Sequence, residues 1–251
     1  MAKILAISSQ VVYGPVGLNA IVPALQAEGH DVLPLPTVTL SNHPGHGKPA
    51  GGAHDLASLI AALENINAFE KIDAVITGYF ASAEQIHIAA ALIEKLNPKI
   101  ILIDPVLGDH GKLYVPLAVA EAIRDHLIPQ TTIAMPNAFE LSWLTGQTVA
   151  NESEAIAAAR ILNLPEIIVT SVPAGDNLAT LRVTSQGVTT IKNPKRGSVP
   201  NGTGDLLSGL YLARQFGDAR TSALADAMTI LQRAIALSGD TKILAIAKAL
   251  H

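Results

Sequence analysis

Short aliphatic runs alternate with segments of helical apolar spacing along most of this chain. Strands that alternate with helices build a parallel sheet that is covered by helices on both faces. The alternation therefore predicts an α/β fold with three layers, α/β/α, around a central, mostly parallel sheet. Because the sequence contains no linker, repeat or low-complexity segment, we expect residues 1–251 to form a single domain. The predicted parallel strands cover residues 3–7, 31–36, 73–77, 99–103, 131–134 and 166–169.

The connections between these elements carry further expectations. Pro15 fits the first position of a helix that runs to residue 26, because proline has the helical φ and needs no N–H there. Residues 37–49 contain two histidines and a lysine among prolines and glycines, which predicts a loop that is either functional or simply solvated. Residues 178–184 and 187–191 predict a hairpin, and three helical segments follow residue 205.

The composition excludes several classes of function. Hydrophobic residues make up 49% of the chain but aromatic residues only 4%, so the core must be aliphatic. The net charge of −4 argues against nucleic acid as a partner, because nucleic-acid-binding proteins usually carry a basic surface. The absence of cysteine rules out disulfides, thiolate metal sites and cysteine nucleophiles. Without a signal-peptide pattern or an apolar run of about 18 residues, we expect a cytoplasmic protein that does not enter a membrane.

The sequence Gly202-Thr203-Gly204-Asp205 precedes an apolar helical segment. Glycines let the backbone approach a ligand closely, and free N–H groups at a helix start bind anions with the help of the helix dipole. The stretch therefore fits a phosphate cradle, but it fits an ordinary helix start equally well, because glycine and aspartate are common there too. A carboxylate in an anion pocket would repel the anion unless it has another task. Asp205 is consequently a candidate base that takes the proton of an attacking hydroxyl.

Oxygen-bearing side chains follow the fourth and fifth predicted strands. Asp104 and Asp109 flank a turn, and Asn137 and Glu140 lie three residues apart at a helix start. Such hard ligands suit Mg²⁺ or a monovalent cation, often through water. The alternatives are a turn formed by Asp104 and the following proline, and a capping box formed by Asn137 and Glu140. Since ligands of parallel α/β proteins bind at the carboxyl ends of the strands, we favour a nucleotide and metal site.

Familiar phosphate-binding and hydrolase motifs are missing from the sequence. It contains no G-x-x-x-x-G-K-[ST], no G-x-G-x-x-G after the first strand and no G-x-S-x-G. A P-loop fold, a dinucleotide-binding fold and a serine hydrolase are therefore not expected.

Several segments match the ribokinase-like superfamily in the same order along the chain. The chain resembles this superfamily over most of its length, and within it the pyridoxal kinases. The superfamily signature is Gly202-Thr203-Gly204-Asp205, and the pyridoxal branch is indicated by Ser41-Asn42-His43 and Thr77-Gly78-Tyr79. Further counterparts are Ser9-Gln10-Val11-Val12-Tyr13-Gly14, Asp104-Pro105-Val106-Leu107-Gly108-Asp109, Tyr114-Val115-Pro116, Pro136-Asn137-Ala138-Phe139-Glu140 and Val169-Thr170-Ser171.

The resemblance implies an ATP-dependent kinase that phosphorylates the 5′-hydroxyl of pyridoxal, pyridoxine or pyridoxamine. Asp205 would be the base, and the anion hole for the phosphoryl group would consist of Gly202, Thr203 and Gly204. The residues that hold ATP and its Mg²⁺, directly or through water, would be Asp104, Asp109, Asn137 and Glu140, with Asp104 and Glu140 as metal ligands. Thr170 and Ser171 would contact the nucleotide. The vitamin pocket would be lined by Ser9, Thr37, His43, Tyr79 and Asp205.

Other features leave alternatives open. A related kinase that acts on hydroxymethylpyrimidine, and a pyridoxal phosphate-binding or carrier protein with low turnover, are also compatible with the sequence. Gln10, Met135 and the Pro44-Gly45-His46 segment depart from the family pattern, and these departures bear on substrate choice more than on phosphoryl transfer. The resemblance further implies a homodimer and a role for a monovalent cation such as K⁺.

Overall fold

A nine-stranded sheet forms the centre of the computed structural model, which describes residues 1–251 apart from the side chains of residues 218 and 219. The strands are β1 (Lys3–Tyr13), β2 (Asp31–Asn42), β3 (Gly51–Ala53), β4 (Ala74–Thr77), β5 (Ile100–Ile103), β6 (Gly108–Asp109), β7 (Lys112–Leu113), β8 (Ile133–Ala134), β9 (Glu166–Ala174), β10 (Asn177–Thr184) and β11 (Gly187–Pro194). Their order in the sheet is β11-β10-β9-β8-β5-β4-β1-β2-β3, and β6 and β7 form a separate small hairpin. Strands β9, β8, β5, β4, β1 and β2 run parallel, whereas β10, β11 and β3 are antiparallel to their neighbours.

Helices cover both faces of this sheet, which confirms the predicted three-layer α/β/α architecture with a mostly parallel sheet. The helices are α1 (Leu18–Ala27), α2 (Leu56–Asn65), α3 (Ala83–Leu96), α4 (Leu117–Ala122), α5 (Ala138–Thr145), α6 (Glu152–Ile161), α7 (Thr203–Ala213), α8 (Ala223–Ser238) and α9 (Ile246–Leu250). One buried apolar cluster contains residues of α1, α7, α8 and α9, and a second, on the other face, contains residues of α2, α3 and α4. Within the described residues, no helix is long and apolar enough to span a membrane.

The central strand β1 shows why both faces are covered. Its residues Ile4 and Ala6 belong to the cluster with α1 and α7, whereas Leu5 and Ile7 belong to the cluster with α2 and α3. Successive side chains of a strand point to opposite faces, so an uninterrupted aliphatic run needs apolar partners on both sides. Each fully buried leucine or isoleucine contributes about 1.5–3 kcal/mol to stability. The aliphatic runs in the sequence therefore determine the layered arrangement.

The predicted start of the first helix at Pro15 is wrong. Helix α1 begins at Leu18, and its N-cap residue Gly17 has a φ of 58°, which interrupts the helical conformation after Pro15. The Pro15 carbonyl oxygen lies only 2.1 Å from the position that a Cβ on Gly202 would occupy. Residues 14–17 are thus held against the glycine turn of a distant helix, a tertiary contact that overrides the local preference of proline.

The predicted loop at residues 37–49 is also partly wrong, because β2 continues to Asn42. β1 extends to Tyr13 and provides the pairing partner for this continuation, with Val11 opposite Leu40 and Tyr13 opposite Asn42. On its other side β2 pairs with the short strand β3. The polar composition of the segment reflects this position near the sheet edge, and only residues 43–50 form the connection. The predicted hairpin and the three final helices are confirmed as β10–β11 and α7–α9.

Candidate active site

The carboxyl ends of the parallel strands form one continuous edge. The N–H of Gly78, just beyond β4, donates to the carbonyl of Ile7 in the neighbouring strand β1 at 2.9 Å. In the same way, the N–H of Asp104 donates to the Thr77 carbonyl at 3.1 Å. The polar residues that were expected to follow the strands therefore lie side by side along this edge, as predicted from the parallel topology.

The glycine turn lies against this edge at the start of α7. Gly202 is the N-cap residue of α7 and has a φ of 89°, in the left-handed region that favours glycine. Within the described residues, the N-cap offers no side-chain hydrogen bond to the first turn, where Thr203 and Gly204 lie. N–H groups at a helix start that are not capped by the N-cap side chain are suited to binding an anion, and the helix dipole adds to the attraction.

Asp205 lies in the first turn of α7, on the floor of the cleft between the glycine turn and the strand ends. It is only partly exposed, and the surrounding protein atoms raise the pKa of its carboxyl through desolvation. The N–H groups of Gly17 and of Asp205 itself donate to the carboxylate and partly offset this increase in pKa. Oxygen Oδ1 of Asp205 lies 3.9 Å from the position that a Cβ on Gly78 would take, and the Ser8 hydroxyl lies 2.4 Å from the same position, so Gly78, Ser8 and the carboxylate are close neighbours. The group is thus an oriented carboxylate with increased basicity.

Asp104 is the second carboxylate of the cleft. Desolvation raises its pKa well above the ordinary value, and the negative charges of Glu140 and Asp205 raise it further, in that order. The N–H of Val106 donates to the carboxylate and acts in the opposite direction. Oxygen Oδ2 of Asp104 lies 3.8 Å from the position of a Cβ on Gly204. Asp104 therefore faces the glycine turn, and a bound cation would relieve the repulsion among these acidic groups.

Glu140 is buried and forms a capping box with Asn137 at the start of α5. The Asn137 side chain accepts the Glu140 N–H at 2.9 Å, and Glu140 Oε2 accepts the Asn137 N–H at 2.9 Å. The second oxygen of Glu140 accepts the N–H of Leu107 at 2.8 Å. Desolvation nevertheless raises the pKa of Glu140 to about 7, against the lowering effect of these backbone N–H groups. The capping box weighed as an alternative is thus present, and it stands within the candidate site.

The segment between β5 and the small hairpin joins these carboxylates. Asn137 Nδ2 donates to the Gly108 carbonyl at 2.8 Å, which links α5 to the hairpin β6–β7. Val106 has a φ of 44°, an outlier for a β-branched residue. Such strain is typical of functional sites. Asp109 is partly exposed and accepts the His110 N–H at 2.7 Å, and its charge contributes to the raised pKa of Glu140.

Thr170 and Ser171 lie next to the cap of α5. Thr170 pairs with Asn137 in an isolated parallel bridge, and its N–H donates to the Pro136 carbonyl at 3.0 Å. Ser171 is exposed and has a φ of 58°. The structure therefore brings Asn137, Glu140 and Thr170 together, with Ser171 at the rim.

The residues predicted for the vitamin pocket gather around the ends of β1, β2 and β4. Thr37 is buried and donates its hydroxyl to the Tyr79 carbonyl at 2.8 Å. The Tyr79 N–H donates to Ser8 Oγ at 3.2 Å, and burial raises the pKa of the Tyr79 hydroxyl. Ser9 lies beside the turn at Gly17, where its carbonyl oxygen is 2.1 Å from the position of a Cβ. These contacts fix Thr37, Tyr79 and Ser9 close to Asp205.

His43 lies at the start of the connection after β2. Its Nδ1 accepts the Gly45 N–H at 3.0 Å and thereby caps a short turn over Pro44–His46. Burial and then the neighbouring His46 lower the pKa of His43. A neutral imidazole at this position can accept or donate a hydrogen bond without adding charge to the acidic cleft.

Sequence reasoning missed Ser8 and Gly17. Ser8 is fully buried and its hydroxyl accepts the Tyr79 N–H, but the strand was expected to end before it. The strand alternation could have identified it, because a continued strand turns Ser8 and Ser9 to opposite faces. Gly17 donates to the carboxylate of Asp205, which is distant in the sequence, and no local pattern indicates such a contact.

The donor set can be tested for its fit to Mg²⁺. Among the described residues, no cluster of three or more His, Cys, Asp or Glu side chains is arranged to hold a metal ion. Mg²⁺ in nucleotide-dependent enzymes is usually bound by one or two carboxylates together with phosphate oxygens and water. Asp104 and Glu140 are two acidic groups whose mutual repulsion raises the pKa of Asp104, so a divalent cation brought by a nucleotide fits their chemistry.

Comparison with known proteins shows which family the chain resembles. A family model described as phosphomethylpyrimidine kinase matches residues 52–246. The pyridoxine/pyridoxal/pyridoxamine kinase of Bordetella avium (strain 197N) is 38% identical over 219 residues, covering 81% of this chain and 74% of that protein. The crystal structure of pyridoxal kinase from Entamoeba histolytica matches with a TM-score of 0.95 at 30% identity, covering 100% and 94% of the two chains. Pyridoxal kinase from Leishmania donovani, in complex with ADP and pyridoxamine, matches with a TM-score of 0.91 at 27% identity, covering 99% and 94%.

The three-layer fold is that of the kinases of the ribokinase-like superfamily. Within this class, the chain belongs to the pyridoxal kinase family. The family resemblance predicted from the sequence is thereby confirmed.

Proposed function

We propose that this chain transfers the γ-phosphoryl group of ATP to the 5′-hydroxyl of pyridoxal, and also of pyridoxine and pyridoxamine. The observation that carries the proposal is the position of the Asp205 carboxylate. It lies in the first turn of α7 and accepts the Gly17 N–H, and its negative charge raises the pKa of Asp104 on the other side of the cleft. The names of the Bordetella avium relative and of the Leishmania donovani complex, which specify these vitamers and ADP, support the choice of substrates.

In the proposed reaction, the 5′-oxygen of the vitamin attacks the γ-phosphorus. The bond between that phosphorus and the leaving oxygen of ADP breaks, and the hydroxyl proton passes to Asp205. The raised pKa of Asp205 makes it a better proton acceptor than an ordinary carboxylate, and the Gly17 N–H orients it. Since the transition state of phosphoryl transfer is loose, alignment of the reactants contributes more than the strength of the base.

Gly202, Thr203 and Gly204 form the proposed anion hole. Their N–H groups would donate to the oxygens of the phosphoryl group as it moves from ADP to the acceptor. Gly202 lets the backbone pass next to Pro15, and Gly204 keeps the space in front of Asp104 free. A side chain at either position would displace the phosphoryl group or the turn that holds it.

The nucleotide side of the site consists of the residues around the cap of α5. We propose that Asp104 and Glu140 hold Mg²⁺, directly or through water, and that Asp109 and Asn137 assist. When bound, Mg²⁺ neutralises charge on the phosphate groups. Thr170 and Ser171 would contact the nucleotide at the rim of the cleft. The proximity of Thr170 to Asn137 supports a continuous binding surface.

The acceptor side consists of Ser9, Thr37, His43 and Tyr79. The contacts that join Thr37 to Tyr79 and Ser9 to Gly17, beside Asp205, support a pocket in which the hydroxymethyl group of the vitamin faces the carboxylate. A hydroxymethylpyrimidine is a second candidate acceptor, and it is favoured by the family model that matches residues 52–246. Both acceptors carry a hydroxymethyl group on an aromatic ring, so the same transfer step applies to either.

An assay of the purified protein with Mg-ATP separates these possibilities. Pyridoxal, pyridoxine, pyridoxamine, hydroxymethylpyrimidine and ribose are tested in parallel, and both ADP and the phosphorylated product are measured. We expect the three B6 vitamers to be phosphorylated with one ADP per product. Phosphorylation of hydroxymethylpyrimidine alone would support the second candidate. Tight binding of pyridoxal phosphate without turnover of any acceptor would indicate a carrier protein instead.

We also propose that residues 1–251 act as one kinase domain and that the protein is a cytoplasmic homodimer. The single nine-stranded sheet, which contains strands from Lys3–Tyr13 to Gly187–Pro194, supports one domain. Light scattering coupled to size-exclusion chromatography tests the oligomeric state. Comparison of the rate in K⁺ and in Na⁺ at equal ionic strength tests the proposed requirement for a monovalent cation.

A further inference from the structure

The connection after β2 touches the residue that precedes the glycine turn. A Cβ on Gly45 would lie 2.9 Å from Asn201 Nδ2 and 3.4 Å from Asn201 Oδ1. The amide of Asn201 thus occupies the space beside residue 45, and Gly202, the first residue of the proposed anion hole, comes next in the chain. The contact joins the proposed acceptor side, which contains His43, to the proposed phosphate side.

Lys242 and Ile243, which precede α9, contact both the connection after β2 and the residue before the glycine turn. The ammonium group of Lys242 donates to the Gly45 carbonyl at 3.3 Å. The backbone of Lys242 accepts the Asn201 N–H at 3.4 Å, and Asn201 pairs with Ile243 in an isolated parallel bridge. Lys242 therefore binds the connection through its side chain and the residue before the glycine turn through its backbone.

The other side of the connection packs on the end of β1. The ring of His46 meets the ring of Tyr13 edge-on with a centroid distance of 5.4 Å. Both Nε2 of His46 and the terminal side-chain carbon of Ile243 lie 3.9 Å from the position that a Cβ on Gly14 would take. Residues 43–47 are therefore held from two sides, by the end of β1 and by the pair of Asn201 and Lys242.

We propose that Lys242 and Asn201 are positioning residues that hold residues 43–47 closed over the acceptor pocket. This proposal rests on the function proposed above and adds two residues that do not touch the reacting atoms. Lys242 acts through the Gly45 carbonyl, and Asn201 aligns the closed connection with the anion hole. A closed connection keeps His43 in place and excludes water that would otherwise compete with the vitamin for the phosphoryl group.

Loss of the Lys242 contact should change the KM for the acceptor rather than the KM for the nucleotide. A net hydrogen-bond contribution of about 1 kcal/mol corresponds to a change in binding of about fivefold. We therefore expect Lys242→Met to raise KM for pyridoxal about fivefold, while KM for ATP changes less than about twofold. Because water enters the site more often, ADP formed per pyridoxal phosphate should rise above one.

Lys248→Met is the matched control. Lys248 is also an exposed lysine of the C-terminal segment, so the variant makes the same change in charge away from residue 45. Its kinetic constants and its ratio of ADP to product should equal those of the wild type. Lys242→Arg keeps a donor and should restore most of the acceptor affinity, and Asn201→Ala should change KM for pyridoxal in the same direction as Lys242→Met.

Hydrogen exchange of the backbone amides of residues 45–47 provides a readout that does not depend on activity. Exchange at these amides should be faster in Lys242→Met than in the wild type and unchanged in Lys248→Met. Unchanged exchange in Lys242→Met, or equal kinetic effects of the two lysine variants, would overturn the proposal. If the wild type phosphorylates no vitamer, the proposed function fails, whereas faster exchange in Lys242→Met alone would still show that Lys242 holds the connection.

Discussion

Asp104 and Gly204 face each other across the cleft, with Oδ2 of Asp104 3.8 Å from the point where a Cβ on residue 204 would stand. The proposed reaction brings the phosphate groups to the N–H groups of this turn, next to Asp104. We predict that Gly204→Ala folds normally, because a Cβ meets nothing closer than 3.8 Å. Its kcat should fall by about 10²-fold, since displacement of a reacting group by about 1 Å has an effect of that size.

Gly52→Ala is the control for this substitution, because nothing lies within 4 Å of a Cβ at position 52. Both variants should keep Tm within about 2 °C of the wild type, which corresponds to less than about 1 kcal/mol for a chain of this length. A Gly204→Ala enzyme with wild-type kcat would show that phosphate does not pass in front of Asp104.

Alanine variants of two N-cap asparagines distinguish an effect on stability from an effect on nucleotide binding. Asn137 and Asn151 each accept the N–H of a glutamate three residues on, at 2.9 and 3.0 Å. Replacement of either by alanine should lower stability by about 1 kcal/mol, and Tm by about 2–4 °C. Only Asn137 also donates to Gly108 beside the acidic residues.

We therefore predict that Asn137→Ala weakens binding of Mg-ATP, measured by calorimetry with a non-hydrolysable analogue, whereas Asn151→Ala leaves it unchanged. Equal affinities of the two variants would count against a nucleotide site at the start of α5.

The raised pKa values predict how stability depends on pH. Asp104, Glu140 and Asp205 all have a pKa above the ordinary value, and that of Glu140 is about 7. Their protonated forms stabilise the folded state, so this contribution is complete below the ordinary pKa and is lost as pH rises through the folded values. In EDTA, ionisation of these carboxyls should therefore lower Tm as the pH rises from 5 to 8.

Mg²⁺ should oppose this decrease, because it binds the ionised carboxylates. At pH 6 only about one tenth of a carboxyl with a pKa of about 7 is ionised, so binding should be about tenfold weaker than at pH 8. We expect millimolar Mg²⁺ to raise Tm more at pH 8 than at pH 6, relative to NaCl of the same ionic strength. An equal shift at both values of pH would contradict a metal site at Asp104 and Glu140.

The sheet and the position of most candidate residues at its edge could be predicted from the sequence because their signals are local. The aliphatic run at Ile4 and Leu5 predicts a strand buried on both faces, and the strand ends place Asp104 and Asn137 on one edge. The Asn137 cap shows a limit of this reasoning, because the same residues fit both a capping box and a ligand site. The structure shows the capping box, and the binding role remains a prediction.

The errors all involve contacts between distant parts of the chain. Pro15 is kept out of the helix by its contact with Gly202, and residues 37–42 become a strand because β1 continues far enough to pair with them. Burial also raises the pKa of Asp205, and no pattern in the sequence indicates this shift, because burial depends on the assembled fold.

Substitution of Asp205 by asparagine tests the central claim most directly. The Asn side chain has nearly the same shape and can still accept the Gly17 N–H, so Asp205→Asn should fold, and its Tm in EDTA at pH 8 should be no lower than that of the wild type. The rate of pyridoxal phosphate formation from pyridoxal and Mg-ATP should fall by about 10²–10⁴-fold, which is the usual contribution of a general base. A folded Asp205→Asn enzyme that forms pyridoxal phosphate at the wild-type rate would contradict the account.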